Sequence, residues 1–397
     1  MKVLVANLGS TSFKYRLFDM DGERQLARGG VERIGADQSD AFVEIGGEKR
    51  ATTVVAPDHS AAVEQCLAQL TDAEHGCLEN ADEVAAIGFK AVHGGRAGGV
   101  TRVDDEVLSA MQEMAEVAPA HNPPYIAAMR QMREKLPHIP LVAAFETGFH
   151  QTIPDRLRTY ATPSAWAEEY GIRRWGFHGA SHRYVGQRTA ELVGRDGLRV
   201  ISCHLGGSSS VCAIRNGQSV AASMGMSPQS GLPQNNRVGD FDPFALPVLM
   251  ERTGKDLHGV LEMLANQCGL LGLSGNSGDV RDLAAAAKCG DEASRLALEV
   301  YVTAVRHYLG AYLVELGGAD VLAFAGGIGE NDAAIRAAIC LGLAPLGIEL
   351  DDAKNQATRE EAPIHAAASR TQVWVVPTNE EIVVARQTRQ LLQATQP

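Results

Sequence analysis

Residues 3–12 read Val-Leu-Val-Ala-Asn-Leu-Gly-Ser-Thr-Ser, and residues 200–209 read Val-Ile-Ser-Cys-His-Leu-Gly-Gly-Ser-Ser. In both stretches a short apolar run ends in a polar residue and is followed by Leu-Gly and a hydroxyl-rich loop. A second strand-like stretch then reaches Asp21-Gly22 or Asn216-Gly217, dipeptides that favour tight hairpins. The repeat predicts two related halves that face each other across a cleft. Such loops offer N–H and O–H donors to an anionic oxygen, which suits phosphoryl transfer.

Composition limits the class of protein. The length of 397 residues predicts two domains, and a composition of 45% hydrophobic and 21% charged residues is typical of globular proteins. No apolar run reaches membrane-spanning length. The first residues lack a signal-peptide pattern, so we expect a cytoplasmic protein without membrane contacts. The net charge of −12 argues against a nucleic-acid partner. The seven cysteines include no C-x-x-C pair, so they predict neither a zinc site nor a disulfide framework.

The pattern of apolar residues predicts strands alternating with helices. Residues 1–56 are typical of strands and hairpins, and the apolar runs 84–92 and 320–325 predict buried parallel strands that each lead into a glycine-rich loop. Strands are also predicted at residues 141–145, which deliver Glu146 to a loop, and at 372–376. Helices are predicted over residues 60–70, 104–117, 125–136 and from about 380 to 392. The alternation predicts α/β layers around a mostly parallel sheet.

Three glycine-rich segments, residues 204–210, 269–278 and 326–331, are candidates for phosphate contact. Any one of them alone would most simply be a turn. Two directly follow predicted strands, and glycine lets a backbone approach a phosphate closely. Together they favour a nucleotide site.

Five basic residues lie near predicted loops: Lys14, Lys90, Arg96, Arg237 and Arg281. A solvated surface charge explains most lysines and arginines. Lys90, however, interrupts an apolar strand, where an unpaired charge would cost several kcal/mol. Arg237 stands in a polar, turn-rich stretch just before a helix. We therefore interpret Lys90 and Arg237 as anion-binding residues.

Four further polar residues are candidates for chemistry. His178 lies between glycines and could donate to a transferring phosphoryl group, or it could be a satisfied turn residue. Glu146 and Glu380 could act as a base or hold Mg²⁺, although a glutamate at a helix start is often only a capping residue. Asn7 could be a turn residue or a magnesium ligand.

Taken together, these segments resemble the acetate and propionate kinase family. The shared motifs are residues 7–14, Val-His-Gly-Gly at 92–95, His-Asn-Pro at 121–123, Gly-Phe-His-Gly at 176–179, Arg237 with Gly239-Asp240, and residues 279–281, 326–331 and 377–381. They extend over essentially the whole chain. The resemblance implies the duplicated two-domain α/β fold of acetate and sugar kinases, Hsc70 and actin, which is ribonuclease H-like, with an interdomain cleft. It implies domains at 1–150 plus 380–397 and at 151–379, and a homodimer.

The resemblance also implies a reaction and roles for residues. ATP would transfer its γ-phosphoryl group directly to a short-chain carboxylate in a reversible reaction, giving ADP and an acyl phosphate. The implied catalytic residues are Glu146, His178 and Arg237. Asn7 and Glu380 would hold Mg²⁺ or Mn²⁺, and Lys14 would assist at the phosphate. The implied nucleotide-binding residues are His204, Leu205, Gly206, Gly207, Ser208, Asp279, Val280, Arg281, Gly327, Ile328, Gly329, Glu330 and Asn331.

The implied acceptor site departs from the family pattern. The residues implied to bind the acceptor are Lys90, Val92, Ala120, His121, Phe177 and Pro228. The family usually has arginine at position 90, aspartate at 146, leucine at 120 and a methionine- and glycine-rich stretch at 232–236, and its His-Leu-Gly-Asn-Gly loop reads His-Leu-Gly-Gly-Ser here. Two alternatives stay open: a kinase of a different or larger carboxylate, and a nucleotide-binding relative without catalysis.

Overall fold

The computed structural model describes residues 1–9, 11–119 and 121–394, and the chain folds as two compact units. The first unit comprises Met1–Gln151 and the segment that begins at Asn379, and the second unit comprises Thr152–Thr378. The boundaries expected from the sequence differ from these by one residue. Ala120, expected to line an acceptor pocket, lies outside the described residues.

The first unit is built on one sheet. Its strands are β1 (Lys2–Leu8), β2 (Ser12–Asp19), β3 (Arg24–Glu32), β4 (Ser39–Ile45), β5 (Glu48–Val54), β6 (Val84–Ala91), β7 (Val100–Arg102) and β8 (Leu141–Phe145). Their order is β5-β4-β3-β2-β1-β6-β8-β7. The pairs β1–β6 and β6–β8 are parallel, and the other neighbours are antiparallel.

The second unit repeats this plan. Its strands are β9 (Arg199–His204), β10 (Ser210–Arg215), β11 (Gln218–Ala222), β12 (Val321–Ala325), β13 (Ala362–Pro363) and β14 (Gln372–Val375), in the order β11-β10-β9-β12-β14-β13. The five strands β11-β10-β9-β12-β14 have the same order and directions as β3-β2-β1-β6-β8. The duplication predicted from the sequence is therefore confirmed.

Helices surround both sheets. They are α1 (His59–Leu70), α2 (Asp105–Glu113), α3 (Asn122–Lys135), α4 (Asp155–Arg158), α5 (Ser164–Glu169), α6 (Gly179–Val193), α7 (Leu246–Thr253), α8 (Leu257–Asn266), α9 (Gly269–Ser274), α10 (Val280–Lys288), α11 (Glu292–Leu316), α12 (Gly326–Asn331), α13 (Ala333–Cys340), α14 (Asp352–Ala357) and α15 (Glu380–Ala394). Every residue of β8 and of β12 is buried, as expected for parallel strands covered on both faces. No helix among the described residues combines the length and apolar character needed to cross a membrane.

The last helix returns to the first unit. In α15, Leu392 packs with Ala86 and Val142, and Arg386 pairs with Glu23 at 2.6 Å. The helix begins at Glu380. The fold therefore carries a carboxylate from the far end of the chain back to the first sheet.

Parallel strands bring their carboxyl ends to one edge of each sheet, where ligands bind in open α/β folds. In the first unit, β1, β6 and β8 end at Leu8, Ala91 and Phe145. In the second unit, β9 and β12 end at His204 and Ala325, and the glycine-rich segments follow directly. Both sets of predicted site residues therefore begin at such an edge.

Two elements differ from their predicted form. The glycine-rich segment 326–331 is the short helix α12 rather than a loop, and the N–H groups of Ile328 and Gly329, which lack a partner within the helix, both donate to the carbonyl of Leu205. Helix α3 begins at Asn122, so Pro123 and Pro124 lie in its first turn rather than in a linker. Proline is tolerated there because first-turn N–H groups have no helical partner.

The two predicted hairpins also differ from each other. Asn216 and Gly217, with φ of 54° and 74°, form a two-residue turn between Arg215 and Gln218, as predicted. Asp21-Gly22 instead belongs to the four-residue connection between Asp19 and Arg24.

Candidate active site

Lys90 lies on β6 and contacts two carboxylates of the first unit. Its Nζ pairs with Glu380 and lies 3.8 Å from Oε1 of the buried Glu146. Burial alone would lower the pKa of Lys90, but the charges of Glu380 and Glu146 outweigh burial and raise it above its ordinary value. Lys90 is therefore a stable cation between two acidic groups, which satisfies a charge that would otherwise be costly in the core.

Asn7 is held in place by Tyr125. The Tyr125 hydroxyl donates to Oδ1 of Asn7 at 3.2 Å and accepts from the N–H of Leu8 at 3.0 Å. Burial raises the pKa of Tyr125 to about 12, and the charges of Lys90 and its two carboxylate partners also act on it. Asn7 and the Lys90 cluster therefore share one region of the first unit.

Three more predicted residues of the first unit lie around this edge. Lys14 is the cross-strand neighbour of Asn7; its side chain is 58% exposed and pairs with Glu32 at 3.2 Å. Val92 follows β6 and is half-buried, and His121 directly precedes α3. The structure thus brings Lys14 next to a predicted magnesium ligand and leaves most of its side chain in solvent.

His178 has an unusual backbone in the second unit. It precedes α6 with φ of 56°, a left-handed conformation that is uncommon outside glycine. Its Nδ1 lies 2.8 Å from Oγ of Ser210, and its ring centroid lies 4.3 Å from that of His204. A non-glycine residue held in this conformation is a candidate for function, because strained backbone is retained only where the surrounding structure stabilises it, and such residues cluster at functional sites.

Arg237 lies half-buried beside two polar side chains. Its Nη1 donates to Oε1 of Gln234 at 3.2 Å and approaches Oγ of Ser208 at 3.5 Å. Burial lowers the pKa of Arg237, and no ion pair includes this residue within the described part of the chain. A half-buried guanidinium that only neutral groups contact is suited to bind an anion.

Glycine at position 269 fixes the segment that carries Arg237. Its φ is +60°, and a Cβ there would lie 2.1 Å from the carbonyl oxygen of Gln234 and 2.5 Å from that of Arg237. Any other residue would displace this backbone. The glycine-rich segment that begins at Gly269 therefore shapes the Arg237 site.

The glycine-rich segments at the ends of β9 and β12 contact each other. A Cβ at Gly326, whose φ is +75°, would lie 2.6 Å from the carbonyl oxygen of Leu205. Helix α12 is further fixed by the fully buried Arg336, which donates to the carbonyls of Gly329 at 2.9 Å and Glu330 at 2.8 Å. The predicted nucleotide residues 204–208 and 327–331 are therefore brought together.

The remaining predicted residues of the second unit occupy separate places. Asp279 caps α10 and pairs with Arg281 at 2.6 Å; its hydrogen bond to that arginine lowers its pKa to about 2. Arg281 is largely exposed, and Val280 between them is buried. Phe177 is buried beside His178. Pro228 is buried, and its carbonyl accepts from Nε2 of Gln234 at 2.8 Å.

A cavity of about 700 Å³ borders the segment that carries Arg237. Its lining includes Pro233, Val238 and Tyr308 together with Gly269, Gly272 and Leu273 of the predicted glycine-rich segment 269–278. Tyr308 donates to Asp240 at 2.5 Å beside this cavity. The cavity is therefore distinct from the strand-end clusters.

Sequence reasoning missed several residues that organise these clusters. Tyr125 was assigned only to a helix, and Gln234 was noted only as part of an unusual stretch. His182 follows His178 by four residues, a spacing that brings side chains close together in helical segments, and this signal could have been used even though His178 itself lies just before α6. Ser210 was noted only as the end of the segment 204–210, and Arg336 gave no local signal, because the contacts of both residues are distant in sequence.

The duplicated α/β fold, with charged side chains and glycine-rich segments at the strand ends, is typical of the kinase class of phosphotransferases. Comparison with known proteins specifies the family. The sequence model of the Acetokinase family matches residues 2–386. The chain therefore belongs to the acetokinase family.

Relatives match along the full chain. It is 43% identical to an acetate kinase of Clostridium botulinum (strain Loch Maree / Type A3) over 395 residues, 98% of this chain and 99% of that protein. It is 44% identical to an acetate kinase of Dictyoglomus turgidum over 393 residues, 98% of this chain and 97% of that protein.

Solved structures have the same fold. The acetate kinase of Porphyromonas gingivalis superposes with a TM-score of 0.90 at 39% identity, covering 98% of this chain and 99% of that one. A propionate kinase of Francisella tularensis superposes with a TM-score of 0.89 at 32% identity, covering 97% and 98%. The predicted fold class is therefore confirmed.

Proposed function

We propose that this protein transfers the γ-phosphoryl group of ATP to a short-chain carboxylate such as acetate or propionate, reversibly. The observation that carries the proposal is the cluster of Asn7, Lys90, Glu146 and Glu380 at the carboxyl edge of the first sheet. It lies in a chain whose full-length relatives are named acetate kinase. Lys90 is flanked there by two carboxylates, so the cluster attracts a divalent cation, through which phosphate oxygens and a small carboxylate would be held.

In the proposed reaction, a carboxylate oxygen attacks the γ-phosphorus while the bond to the β–γ bridging oxygen breaks. The products are an acyl phosphate and ADP, which leaves with the bond electrons. Negative charge spreads over the three other γ-oxygens, so catalysis depends mainly on positioning and electrostatic stabilisation. Arg237 supplies a positive charge not neutralised by a carboxylate, and His178 supplies an N–H donor.

Magnesium fits the donor set of the first unit. Mg²⁺ is usually held by one or two carboxylates together with water and substrate phosphates. No cluster of three or more His, Cys, Asp or Glu side chains suited to a metal occurs among the described residues, so phosphate oxygens would complete the coordination. The carboxylate of Glu380 and the amide oxygen of Asn7 would hold the ion. Bound Mg²⁺ would neutralise phosphate charge.

The glycine-rich segments support the nucleotide side of the proposal. Residues 204–208 and 327–331 lie together at the ends of β9 and β12, where backbone N–H groups and close backbone approach favour phosphate. Asp279 and Arg281 would extend this surface toward the rest of ATP.

The proposal also covers location and assembly. We propose a cytoplasmic homodimer, as the family resemblance implies. Four large apolar side chains are exposed on the 243–266 region of the second unit: Phe244, Val248, Leu257 and Leu261. Exposed apolar side chains of this size are suited to an interface. Light scattering on the purified protein should give twice the 42.3 kDa chain mass, and a single-chain mass would contradict the dimer.

Acyl phosphate trapping tests the function directly. Purified protein is incubated with ATP, Mg²⁺, hydroxylamine and each straight-chain acid from one to six carbons. A hydroxamate that requires enzyme, ATP and Mg²⁺ supports the proposal. ATP binding without any hydroxamate across the panel would instead favour a nucleotide-binding relative without catalysis.

A further inference from the structure

The hydrogen bonds around His178 form a chain of four side chains. Nδ1 of His178 lies 2.8 Å from Oγ of Ser210, and the same Oγ lies 2.8 Å from Nε2 of His182. Nδ1 of His182 lies 2.8 Å from Oγ of Ser202. His182, Ser202 and Ser210 are buried, with exposures of 0%, 0% and 1%. This hydrogen-bonded chain of side chains therefore extends from the core to the half-buried His178.

The fold positions this chain firmly. His182 lies in the first turn of α6, and the N–H of His182 donates to the carbonyl of His178 at 2.9 Å. Ser210 is the cross-strand neighbour of His204, and Ser202 lies two residues before His204 on β9. Side chains at these positions point to one face of the sheet. Helix α6 and the β9–β10 pair thus hold the four groups from both sides.

Counting donors and acceptors limits the positions of the hydrogens in this hydrogen-bonded chain of side chains. A hydroxyl has one hydrogen, and a neutral imidazole has one N–H donor and one acceptor nitrogen. Ser210 bonds two imidazole nitrogens, so at least one imidazole must donate to it. If Ser210 donates to His178, His182 donates to Ser210 and Ser202 donates to His182, each donor is used once. Two other arrangements satisfy the same contacts, the reverse order and one in which both imidazoles donate to Ser210, and each puts the hydrogen of His178 on Nδ1.

We propose that Ser202, His182 and Ser210 are positioning residues that fix His178 as the tautomer with its hydrogen on Nε2. This inference rests on the proposed function. A phosphoryl group presents only oxygen acceptors, so the ring must offer an N–H, and the reverse order would offer a lone pair instead. Fixing the tautomer means that no proton needs rearranging as charge develops on the transferring oxygens.

The tautomer of His178 can be determined by ¹⁵N NMR spectroscopy, independently of enzymatic activity. The full-length protein is labelled with ¹⁵N-histidine, and long-range ¹H–¹⁵N spectra distinguish the two neutral tautomers from imidazolium; His178→Asn identifies the signals of His178. We expect Nε2 protonated and Nδ1 unprotonated at pH 7.5. A hydrogen on Nδ1, on both nitrogens, or exchanging freely would overturn the inference. A wild type with the expected tautomer but no acyl phosphate would contradict only the proposed function.

Variants then test the consequence for turnover. Ser210→Ala should lower kcat by about 10- to 100-fold, with KM for ATP and for the acid changed by less than about 2-fold. Ser210→Thr keeps the hydroxyl and should recover most of kcat. Ser181→Ala is the matched control, because its buried hydroxyl lies 2.8 Å from Nδ1 of His204 rather than in this chain. It should leave the His178 tautomer unchanged.

Ser202→Ala is a second variant that tests the same inference if Ser210→Ala does not fold. It removes the hydroxyl at the far end of the chain without touching His178, and we expect a mixture of His178 tautomers and a smaller loss in kcat. An unchanged tautomer in every folded variant, or loss only in KM for ATP, would show that these residues have a structural role alone.

Discussion

The ammonium of Lys90 lies 3.8 Å from a carboxylate oxygen of Glu146, across the parallel strand pair β6–β8. The family usually has arginine and aspartate at these positions, so this chain pairs a shorter cation with a longer carboxylate. We expect the longer carboxylate to make up for the shorter cation in reach. Because the two side chains are in contact, we predict that the departures at positions 90 and 146 are coupled.

Glu146→Asp should therefore impair the enzyme, because the shortened carboxylate moves away from Lys90 and from the acceptor. We expect a loss in kcat on the order of 10- to 100-fold, since misplacement by about 1 Å can cost this much. Adding Lys90→Arg should restore part of the activity. Hydroxamate assays of the wild type, both single variants and the double variant give the coupling.

Lys135→Arg is the control for this cycle, because Lys135 pairs with Glu64 on the surface. It should not rescue Glu146→Asp. Strictly additive losses in the Lys90 and Glu146 double variant would show that the two side chains act independently.

Arg237→Ala should lower kcat by about 100- to 1,000-fold while changing ATP affinity little, because its charge acts where negative charge develops in the transition state. Arg281→Ala makes an informative comparison. That side chain is 87% exposed, and we expect a raised KM for ATP with kcat largely kept. Steady-state kinetics measures kcat and KM, and calorimetric titration measures the affinity for ATP. Together they separate an effect on turnover from an effect on ATP binding. Loss of ATP affinity without loss of kcat would rule out the role of Arg237.

Gln234→Glu should abolish much of the activity although the change is nearly isosteric. Oε1 of Gln234 lies 3.2 Å from Nη1 of Arg237, so a carboxylate there would neutralise the guanidinium and repel phosphate. We expect a loss on the order of 100-fold, and Gln234→Met, which is similar in size and uncharged, should lose less. If the methionine variant is the less active one, hydrogen bonding by Gln234 matters more than the charge state of Arg237.

The sequence predicted the architecture well because the signals for it are local. The repeated apolar run, Leu-Gly step and hydroxyl loop at residues 3–12 and 200–209 correspond to β1 and β9, the matching strands of the two sheets. Helix α12 was predicted as a loop because glycine disfavours helices. The first turn of this helix is held by hydrogen bonds from Ile328 and Gly329 to the carbonyl of Leu205, which lies 123 and 124 residues earlier in the chain (328 − 205 and 329 − 205).

The candidate site was less accessible to sequence reasoning. Lys90 was singled out because its charge interrupts an apolar strand, but both of its carboxylate partners come from other parts of the chain, and Glu380 is 290 residues away. The tyrosine that holds Asn7 was equally hidden, since a tyrosine at a helix start is usually a core residue. Pairings of this kind depend on the topology of the sheet rather than on local spacing.

His93 should make the protein less stable in acid. Burial lowers its pKa to about 4, and its Nδ1 accepts from the N–H of Gly95 at 3.0 Å. The unfolded chain therefore binds more protons than the folded one between pH 4 and about 6.5, so stability is full above 6.5 and falls as pH drops through this window. The loss by pH 4 should reach about 3 kcal/mol.

Urea unfolding at pH 7 and pH 5 measures this effect, with His93→Gln as the comparison. The variant should lose less stability between the two pH values than the wild type, because glutamine does not titrate. Equal losses would show that other groups cause the acid sensitivity.

The last prediction concerns the size of the acceptor. The family resemblance implies that position 120 lines the acceptor pocket, and the family usually has leucine there where this chain has Ala120. On that reading, alanine would leave room for about two to three methylenes, each worth roughly 0.8 kcal/mol when buried. We expect propionate or a somewhat larger acid to be preferred over acetate by about 10-fold in kcat/KM. Ala120→Leu should move the ratio of kcat/KM values back toward acetate. The ratio of the two kcat/KM values needs no separate control for folding, because a general loss of folded protein lowers the activity with both acids equally. A wild type that prefers acetate, with a ratio that Ala120→Leu leaves unchanged, would mean that other residues, such as those at 232–236, fill the space.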